Sequence, residues 1–353
     1  MKIENKQLSF SATDLARFLE CRHVTSLDLL AAHGQINIPH HHDPGIAVLE
    51  QRGFQHEAAY LARLQDRGFE ILAIDDDGIP DDTEAAMRAG FPVITQAKLE
   101  HEEWRGRADV LMRVDRPSEL GGWSYEVTDT KLSRETKGGT ILQLCLYSEL
   151  ISKIQGVAPR RMHVVSPGRD FEPETFTVHE FLAYYRFIKS CFREAVDSFQ
   201  DRATYPEPVD HCYVCRWWVG CNDRRRADDH LSFVAGISKS QIDQLRRWSI
   251  PTLEQLAKMP LPLQRRPKKG SPEGFERIRE QARLQLERRE TGNPIHELLT
   301  PEPECGLARL PEPSPGDIFL DFEADPFVEE GGLEYLLGYV ALNDVGSAEY
   351  WSH

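Results

Sequence analysis

The chain has 353 residues, which is enough for roughly two or three domains with a sizeable hydrophobic core. Its net charge of −15 argues against broad electrostatic attraction to nucleic acid, although carboxylates can concentrate at a metal site and cations along a channel. No apolar run reaches about 18 residues, so we expect no membrane span. The N-terminal segment lacks the apolar core of a signal peptide, so we expect a cytoplasmic protein.

The apolar pattern predicts both strands and helices in the N-terminal part of the chain. The predicted helices are 9–33, 46–67, 139–155 and 178–200. The predicted strands are 70–75, 92–100, 104–114, 123–132 and 160–166. A strand-rich centre with flanking helices indicates an α/β fold.

Two neighbouring predicted strands carry the side chains that phosphodiester hydrolysis needs. Asp109 lies in WRGRADVLMRV, and Asp129 and Lys131 lie in SYEVTDTKL. Residues two apart in a strand share a face, so Asp129 and Lys131 should point together, with Asp109 facing them from the adjacent strand. Two carboxylates can hold Mg²⁺ or Mn²⁺, and a nearby lysine can help deprotonate water and offset phosphate charge. Glu126 should lie on the opposite face of the strand, as a surface or structural acid.

Seven cysteines in a chain expected to lie in a reducing compartment favour metal ligation over disulfides. The candidate ligands are Cys21, Cys212, Cys215 and Cys221, of which the last three form a C-x₂-C-x₅-C motif. Four thiolates can hold either Zn²⁺ or a [4Fe–4S] cluster, and the spacing alone does not decide between them. The remaining cysteines are Cys145, Cys191 and Cys305.

The run from His40 to His42 is another candidate metal site, but we expect a solvated loop there.

The order of these segments resembles that of the RecB-like branch of the PD-(D/E)XK nucleases. The similar motifs are, in chain order, G-x-x-H ending at His56, G-x-x-D ending at Asp109, D-x-K from Asp129 to Lys131 and Q-x-x-x-Y from Gln143 to Tyr147. The resemblance implies a restriction-endonuclease-like core, with a central mixed sheet flanked by helices. The metal ligands that it implies are His56, Asp109, Asp129 and the backbone carbonyl of Thr130. The implied catalytic residues are Lys131, Asp109 and Asp129, with Gln143 and Tyr147 supporting the site or contacting DNA.

One cysteine before the nuclease motifs and three after them is an arrangement similar to that of the iron–sulfur members of this family. Those members are the AddB-type recombination nucleases and the CRISPR-associated RecB-like exonucleases. The resemblance implies a [4Fe–4S] cluster on Cys21, Cys212, Cys215 and Cys221. Its role would be structural, tying the N-terminal helix to the end of the nuclease domain. We expect Trp217 and Trp218, which lie between the ligands, to shield it.

Two further units are expected after a nuclease domain at 1–229. Residues 230–300 are expected to form a small helical module and linker, in which 233–258 read as two short helices around a turn. This segment resembles a helix-hairpin-helix element that grips the DNA backbone; a plain helical linker is the alternative. Residues 314–353 resemble the start of an RNase H-like DEDD exonuclease domain, with Asp321 and Glu323 on one strand face. The other acidic motifs of such a domain are absent from the sequence. We therefore expect a strand pair with exposed edges in a fragment of a longer protein, with a helicase as a possible further domain or subunit.

The sequence therefore predicts a metal-dependent DNA nuclease, an exonuclease on single strands or ends, in repair, recombination or defence. The alternative is a non-catalytic, cluster-stabilised DNA-binding scaffold of a repair complex, but a scaffold has no need of intact Asp109, Asp129 and Lys131. A zinc-binding RNA-processing protein is the third interpretation.

Overall fold

The architecture is taken from a computed structural model of the chain. It describes residues 1–4, 7–39, 44–168, 170–325, 328, 332–343 and 345–353, so the histidine run from His40 to His42 lies outside the described residues. The helices are α1 (Ala12–Glu20), α2 (Arg22–Ala32), α3 (Pro44–Asp66), α4 (Pro80–Ala89), α5 (Gly138–Gln155), α6 (Val178–Asp197), α7 (Trp218–Ala227), α8 (Lys239–Arg247), α9 (Leu253–Ala257) and α10 (Pro272–Thr291). The strands are β1 (Lys2–Glu4), β2 (Gln7–Ser11), β3 (Ile71–Ala73), β4 (Val93–His101), β5 (Trp104–Val114), β6 (Ser124–Thr130), β7 (Arg161–Val165), β8 (Glu174–Thr177), β9 (Ile318–Asp325), β10 (Leu333–Leu342) and β11 (Ala348–Ser352).

Strands β1 to β8 form one mixed sheet in which β5 and β6 are central. β5 runs antiparallel to both β4 and β6, whereas β6 is parallel to β7 and β2 is parallel to β5. Helices α1, α5 and α6 bury their apolar side chains against the sheet, and α3 packs on it separately through Tyr60 and Leu64. The α/β class and the mixed sheet with flanking helices, which the sequence predicts, are confirmed.

The predicted single helix at 9–33 is wrong, because the segment starts as a strand and is interrupted at Cys21. Ser11 ends β2 and caps α1: its hydroxyl accepts a hydrogen bond from the Asp14 N–H at 3.2 Å. The Asp14 carboxylate in return accepts the Ser11 N–H and binds the N-terminal ammonium group of Met1 at 2.8 Å. Cys21 then adopts an extended backbone between α1 and α2. These local hydrogen bonds fix the start of α1 where the apolar periodicity alone continues without a break.

Two smaller units follow, each with its own packing. Helices α8 to α10 surround a hydrophobic cluster that is separate from the core of the large sheet, and α8 and α9 confirm the two short predicted helices. The tail forms a three-stranded antiparallel sheet with β10 in the middle, so the predicted strand pair is wrong. Its strand β9 is exposed along most of its length, including Asp321 and Glu323.

No helix within the described ranges is long and apolar enough to cross a membrane.

Candidate functional site

The predicted acidic pair and lysine meet where β5 and β6 lie side by side. Asp129 is the penultimate residue of β6 and is completely buried, and the Lys131 ammonium lies 2.5 Å from its Oδ2 atom. Asp109 of β5 accepts two hydrogen bonds from Thr130, one from the backbone N–H at 2.8 Å and one from the hydroxyl at 3.0 Å. Thr130 therefore fixes the Asp109 carboxylate beside the end of β6. The i to i+2 spacing does place Asp129 and Lys131 together, as the sequence indicates.

The Asp129 carboxylate is buried without hydrogen-bond donors. The Lys131 ammonium forms an ion pair with Oδ2 at 2.5 Å, and no other group in the described residues donates a hydrogen bond to either oxygen. Burial raises the pKa of Asp129 to about 7; the Lys131 charge opposes this rise and the Asp109 charge adds to it. A buried carboxylate is unfavourable unless hydrogen bonds or opposite charges compensate it, and the single Lys131 cation does not outweigh the effect of burial on the pKa of Asp129. The donor set therefore fits a divalent cation, since carboxylate oxygens are the ligands that Mg²⁺ and Mn²⁺ prefer.

His56 lies beside this group on α3, but it does not close a ligand set. Its Nε2 atom is 3.1 Å from the carbonyl oxygen of Val165, which also accepts the N–H of Lys131 at 3.0 Å. The imidazole stacks on Phe171, with ring centroids 5.5 Å apart. Within the described part of the chain, no three His, Cys, Asp or Glu side chains form a group that could hold one metal ion. The structure thus brings the two carboxylates and the lysine together. His56 contacts the same backbone carbonyl as Lys131 but is not part of a group of metal ligands.

Gln143 and Tyr147 form the support of the site from α5. The Gln143 amide donates to the Tyr147 hydroxyl at 3.1 Å, as expected for side chains one helical turn apart. Tyr147 is buried, and its ring packs so closely on Gly106 of β5 that any larger residue at 106 would overlap it. Burial raises the pKa of Tyr147, and the negative charge of Asp129 adds to the rise, so the phenol stays neutral near the carboxylates.

Three residues that the sequence analysis did not single out also border the site. Glu57 follows His56 on α3 and accepts a hydrogen bond from the side-chain amide of Gln96, which itself accepts one from Arg107. Burial raises the pKa of Glu57, and the charge of Asp109 adds to that rise. Gln96 lies across from Asp109 in the β4–β5 register and has φ of 55°, a left-handed backbone that is uncommon for a residue other than glycine. Such backbone positions cluster at functional sites.

The four predicted cluster ligands border one common cavity together with Trp217 and Trp218. Their positions are Cys21 at the α1–α2 break, Cys212 and Cys215 within and just after the 3₁₀ turn Asp210–Val214, and Cys221 in α7. All four are free thiols that are partly buried. Burial raises the pKa of Cys221 to about 11, and charge on the other three thiols would add to the rise. The thiols oppose one another's ionisation, but no three of them form a group that could hold a metal ion in the described structure, so their side chains would have to move together to bind one as thiolates.

A buried arginine lies against these thiols. Arg225 of α7 is 2% exposed, and its guanidinium contacts the Sγ atom of Cys212 at 4.0 Å and donates to the carbonyl of Pro206 at 3.3 Å. It also lies over the Trp218 ring, 5.1 Å from the centroid, and its Nε–H has no hydrogen-bond partner in the described chain. Arginine is rarely so buried without an anionic partner, and no carboxylate in the described ranges pairs with it. A thiolate-bound metal centre is an anion of the kind that would compensate Arg225.

Asp28 connects α2 to the cysteine loop. Its carboxylate is almost completely buried and accepts hydrogen bonds from the Trp217 indole N–H at 2.7 Å and from Arg216 at 2.6 Å. Trp217 is itself buried, whereas Trp218 is about one-third exposed. These contacts hold Trp217 against the cavity that the four thiols border, which is the position that a shielding residue needs.

The remaining cysteines and Glu126 lie outside both candidate sites. Cys145 is buried in the core and Cys191 is partly buried against it, whereas Cys305 is exposed and far from the cysteine cavity in sequence. Glu126 is 8% exposed and accepts hydrogen bonds from the Arg161 N–H and the His163 ring. It is therefore a structural acid rather than a surface one.

Comparison with known proteins adds no identity to these sites. No protein-family model matches the chain, and a search of curated proteins finds no significant match. The argument for function therefore depends on the residues themselves and on what their arrangement can do chemically.

Proposed function

We propose that the protein is a metal-dependent nuclease that hydrolyses phosphodiester bonds in DNA, of the RecB-like PD-(D/E)XK type. The observation that carries this proposal is the carboxylate of Asp129, completely buried without hydrogen-bond donors, between Asp109 and Lys131. A carboxylate that serves only the fold is normally hydrogen-bonded through both oxygens, so a buried one whose close partner is the Lys131 ammonium, with a second carboxylate beside it, supports a cation-binding role. The mixed sheet that carries the site is compatible with a restriction-endonuclease-like core.

The roles follow from the contacts of each side chain. Asp109 and Asp129 would hold Mg²⁺ or Mn²⁺, with His56 and the Thr130 carbonyl as candidate further ligands. A divalent ion bound there would polarise the scissile phosphate and lower the pKa of water. Lys131 is one-third exposed, so its ammonium can reach both the Asp129 carboxylate and an incoming phosphate or water.

Tyr147 and Gln143 have a positioning role in this proposal. The Tyr147 ring is buried against Gly106, which lies three residues before Asp109 on β5. This contact keeps the part of β5 that carries Asp109 in place. Gln143 orients the phenol from the same helix, and its amide is partly accessible for a contact to DNA. Reaching the reacting phosphate is the task of Lys131 and not of this pair.

The four cysteines would hold a structural [4Fe–4S] cluster. Support comes from the common cavity that they border, from the buried Arg225 beside them, and from the shielding position of Trp217. The site would join the α1–α2 break to the segment at 206–221.

The helical unit at α8 to α10 would be a module that grips DNA. The tail sheet would be part of an RNase H-like domain. The partners would be DNA strands or ends and a helicase.

A cleavage assay with single-residue variants tests the nuclease proposal. We expect the wild-type protein to degrade labelled single-stranded or blunt-ended DNA with Mg²⁺ or Mn²⁺ and not with EDTA. Lys131→Ala should lower the rate by about 100-fold or more, because the lost cation acts mainly in the transition state. DNA binding should persist, since phosphate contacts elsewhere supply most of the affinity. The matched control is Lys137→Ala, which removes an exposed lysine at the start of α5 and should leave the rate unchanged.

Two outcomes would contradict the proposal. Wild-type activity in purified Lys131→Ala would remove the assigned role of the lysine. DNA binding without metal-dependent cleavage by the wild-type protein would favour the non-catalytic scaffold instead. For the cluster, anaerobically purified protein should absorb broadly near 400 nm, whereas a zinc protein is colourless there, and Cys21→Ser should lose the band.

A further inference from the structure

A second cavity lies between α5 and α6, away from the carboxylate site. Its volume is about 570 Å³, and α5 contributes Ser148, Glu149, Ser152 and Lys153 to its wall. At 3.6 residues per turn, these positions lie on the side of α5 opposite to Gln143 and Tyr147. The cavity is therefore a separate feature of the fold, and nothing proposed above for the nuclease site makes use of it.

The cavity wall is strongly positive in an acidic protein. Four cationic side chains line it against a single carboxylate, a net charge of +3 in a chain whose total is −15; the cations are Lys153, Arg186, Lys189 and Arg193, and the carboxylate is Glu149. Lys189 pairs with Glu149 at 2.9 Å, and Arg193 pairs with Glu103 outside the cavity lining. Lys153 and Arg186 are exposed and form no ion pair with the described residues. Two cations thus remain available to an anion that enters.

Part of the cavity lining is apolar, and its polar wall is held in place by hydrogen bonds. The apolar lining residues are Ala158, Pro159, Val178 and Leu182. Glu149 accepts hydrogen bonds from the Tyr185 hydroxyl at 2.6 Å and from Lys189, which joins α5 to α6 across the cavity. A preformed pocket with an apolar floor and a few fixed polar groups is typical of small-molecule sites, whose volumes are roughly 300–1,000 Å³.

Ser148, which contributes to the cavity lining, has a buried hydroxyl without a partner. Ser148 is 2% exposed, and its Oγ atom has no hydrogen-bond partner in the described chain, not even a carbonyl of its own helix. Serine hydroxyls in helices normally bond to a backbone carbonyl or to water, so a buried one without a partner is unfavourable for the empty protein. A ligand oxygen in the cavity would give this hydroxyl an acceptor after a rotation about one side-chain bond.

We propose that this cavity binds a phosphate monoester whose organic part is about the size of a nucleoside. The two negative charges of the phosphate match the two unpaired cations, Lys153 and Arg186, and the apolar lining residues would contact the sugar and the face of the base. This chemistry occurs both in a free nucleoside monophosphate and at the 5′-phosphorylated end of a DNA strand. The site goes beyond the proposed nuclease activity and does not depend on it.

Isothermal titration with the full chain in EDTA tests the proposal without a contribution from the metal site. The probes are 2′-deoxyadenosine 5′-monophosphate, deoxyadenosine, inorganic phosphate, and one oligonucleotide with either a 5′-phosphate or a 5′-hydroxyl end. We expect the monophosphate or the 5′-phosphorylated strand to bind at one site, at least about 10-fold more tightly than its phosphate-free counterpart. Which of the two phosphorylated probes binds identifies the source of the ligand.

Variants connect the binding to this cavity. Lys153→Ala and Arg186→Ala should each weaken binding by about 10-fold, because a charge-assisted hydrogen bond is lost. Arg160→Ala is the matched control: it removes an exposed cation just outside the lining and should leave the affinity unchanged. Ser148→Ala should weaken binding but leave the unfolding temperature equal or higher, since the hydroxyl has no partner to lose.

Three results would overturn the inference. One is the absence of binding by every phosphorylated probe in the wild-type protein. Another is undiminished affinity in the Lys153→Ala and Arg186→Ala variants. The third is an equal loss in Arg160→Ala, which would show only a general effect of surface charge. Circular dichroism of each variant separates lost binding from lost folding, and Ser190→Trp, which would fill the cavity from its exposed rim, offers an independent block.

Discussion

Replacing Asp129 with asparagine should stabilise the metal-free protein at neutral and alkaline pH. The carboxylate is completely buried beside Asp109, and the attraction of the Lys131 ammonium does not offset the cost of that burial, so ionisation of the group destabilises the folded state. Asparagine has nearly the same shape and no charge to remove from water. If the site binds a cation, this substitution should weaken cation binding while it raises the stability of the metal-free fold, because groups that serve function often destabilise the folded state.

The expected magnitude follows from the pKa of Asp129, which burial raises from 3.8 to about 7. Below pH 3.8 the group is neutral in both states and has no effect on stability. Between pH 3.8 and about 7 only the unfolded chain ionises, so stability falls as pH rises, and above pH 7 the full penalty is present. At about 1.4 kcal/mol per pKa unit, the penalty is at most about 4 kcal/mol, and about 3 kcal/mol of it develops between pH 5 and pH 8.

Urea denaturation of both proteins in EDTA at pH 5 and pH 8 measures this difference. The advantage of Asp129→Asn should be larger at pH 8 than at pH 5. Adding Mn²⁺ at pH 8 should then raise the urea midpoint of the wild-type protein, because a ligand that binds the folded state stabilises it, and should have little effect on the variant. A variant that is less stable than wild type by the same amount at both pH values, or that Mn²⁺ stabilises equally, would refute the reasoning.

Two further substitutions have matched controls within the chain. Gly106→Ala places a methyl group against the Tyr147 ring and should destabilise the protein by about 1–3 kcal/mol in thermal or urea unfolding, whereas Gly122→Ala, where the space is open, should not. Arg225→Leu removes the buried cation beside the cysteines and should lower the iron content and the absorbance near 400 nm of the purified protein. Arg224→Leu, a change at the exposed neighbouring position, should leave both unchanged, and equal losses in the two variants would contradict the role given to Arg225.

The parts of the site that could be predicted from the sequence are those that depend on local periodicity. Asp129 and Lys131 are two residues apart at a strand end, and Gln143 and Tyr147 are one turn apart on a helix, so each pair is held together by geometry within one segment. The strand that carries Asp109 is 11 residues long and has an apolar segment after Asp109, which is enough to predict a strand there.

The parts that could not be predicted depend on contacts between distant segments. Glu57 enters the site only because α3 lies over β4, where Gln96 donates to it, and no spacing in the sequence indicates that contact. His56 contacts the carbonyl of Val165, which is 109 residues away. Arg225 looks like one of three adjacent surface arginines in the sequence, and only the packing of α7 against the cysteine loop shows that it is buried.

The cysteine site and the carboxylate site are connected through the packing of α1 on α5. Cys21 ends α1, and Gly139 at the start of α5 allows that helix to approach the Ala16 backbone of α1 closely, since a Cβ atom there would lie 3.3 Å from the alanine methyl group. The same helix α5 holds Tyr147 against Gly106 of the strand that carries Asp109. A metal centre bound by Cys21 would therefore restrain α1, and through α5 it would restrain the strand beside the carboxylates. Its effect on hydrolysis would be mechanical, because this path contains only packed side chains and needs no electron transfer.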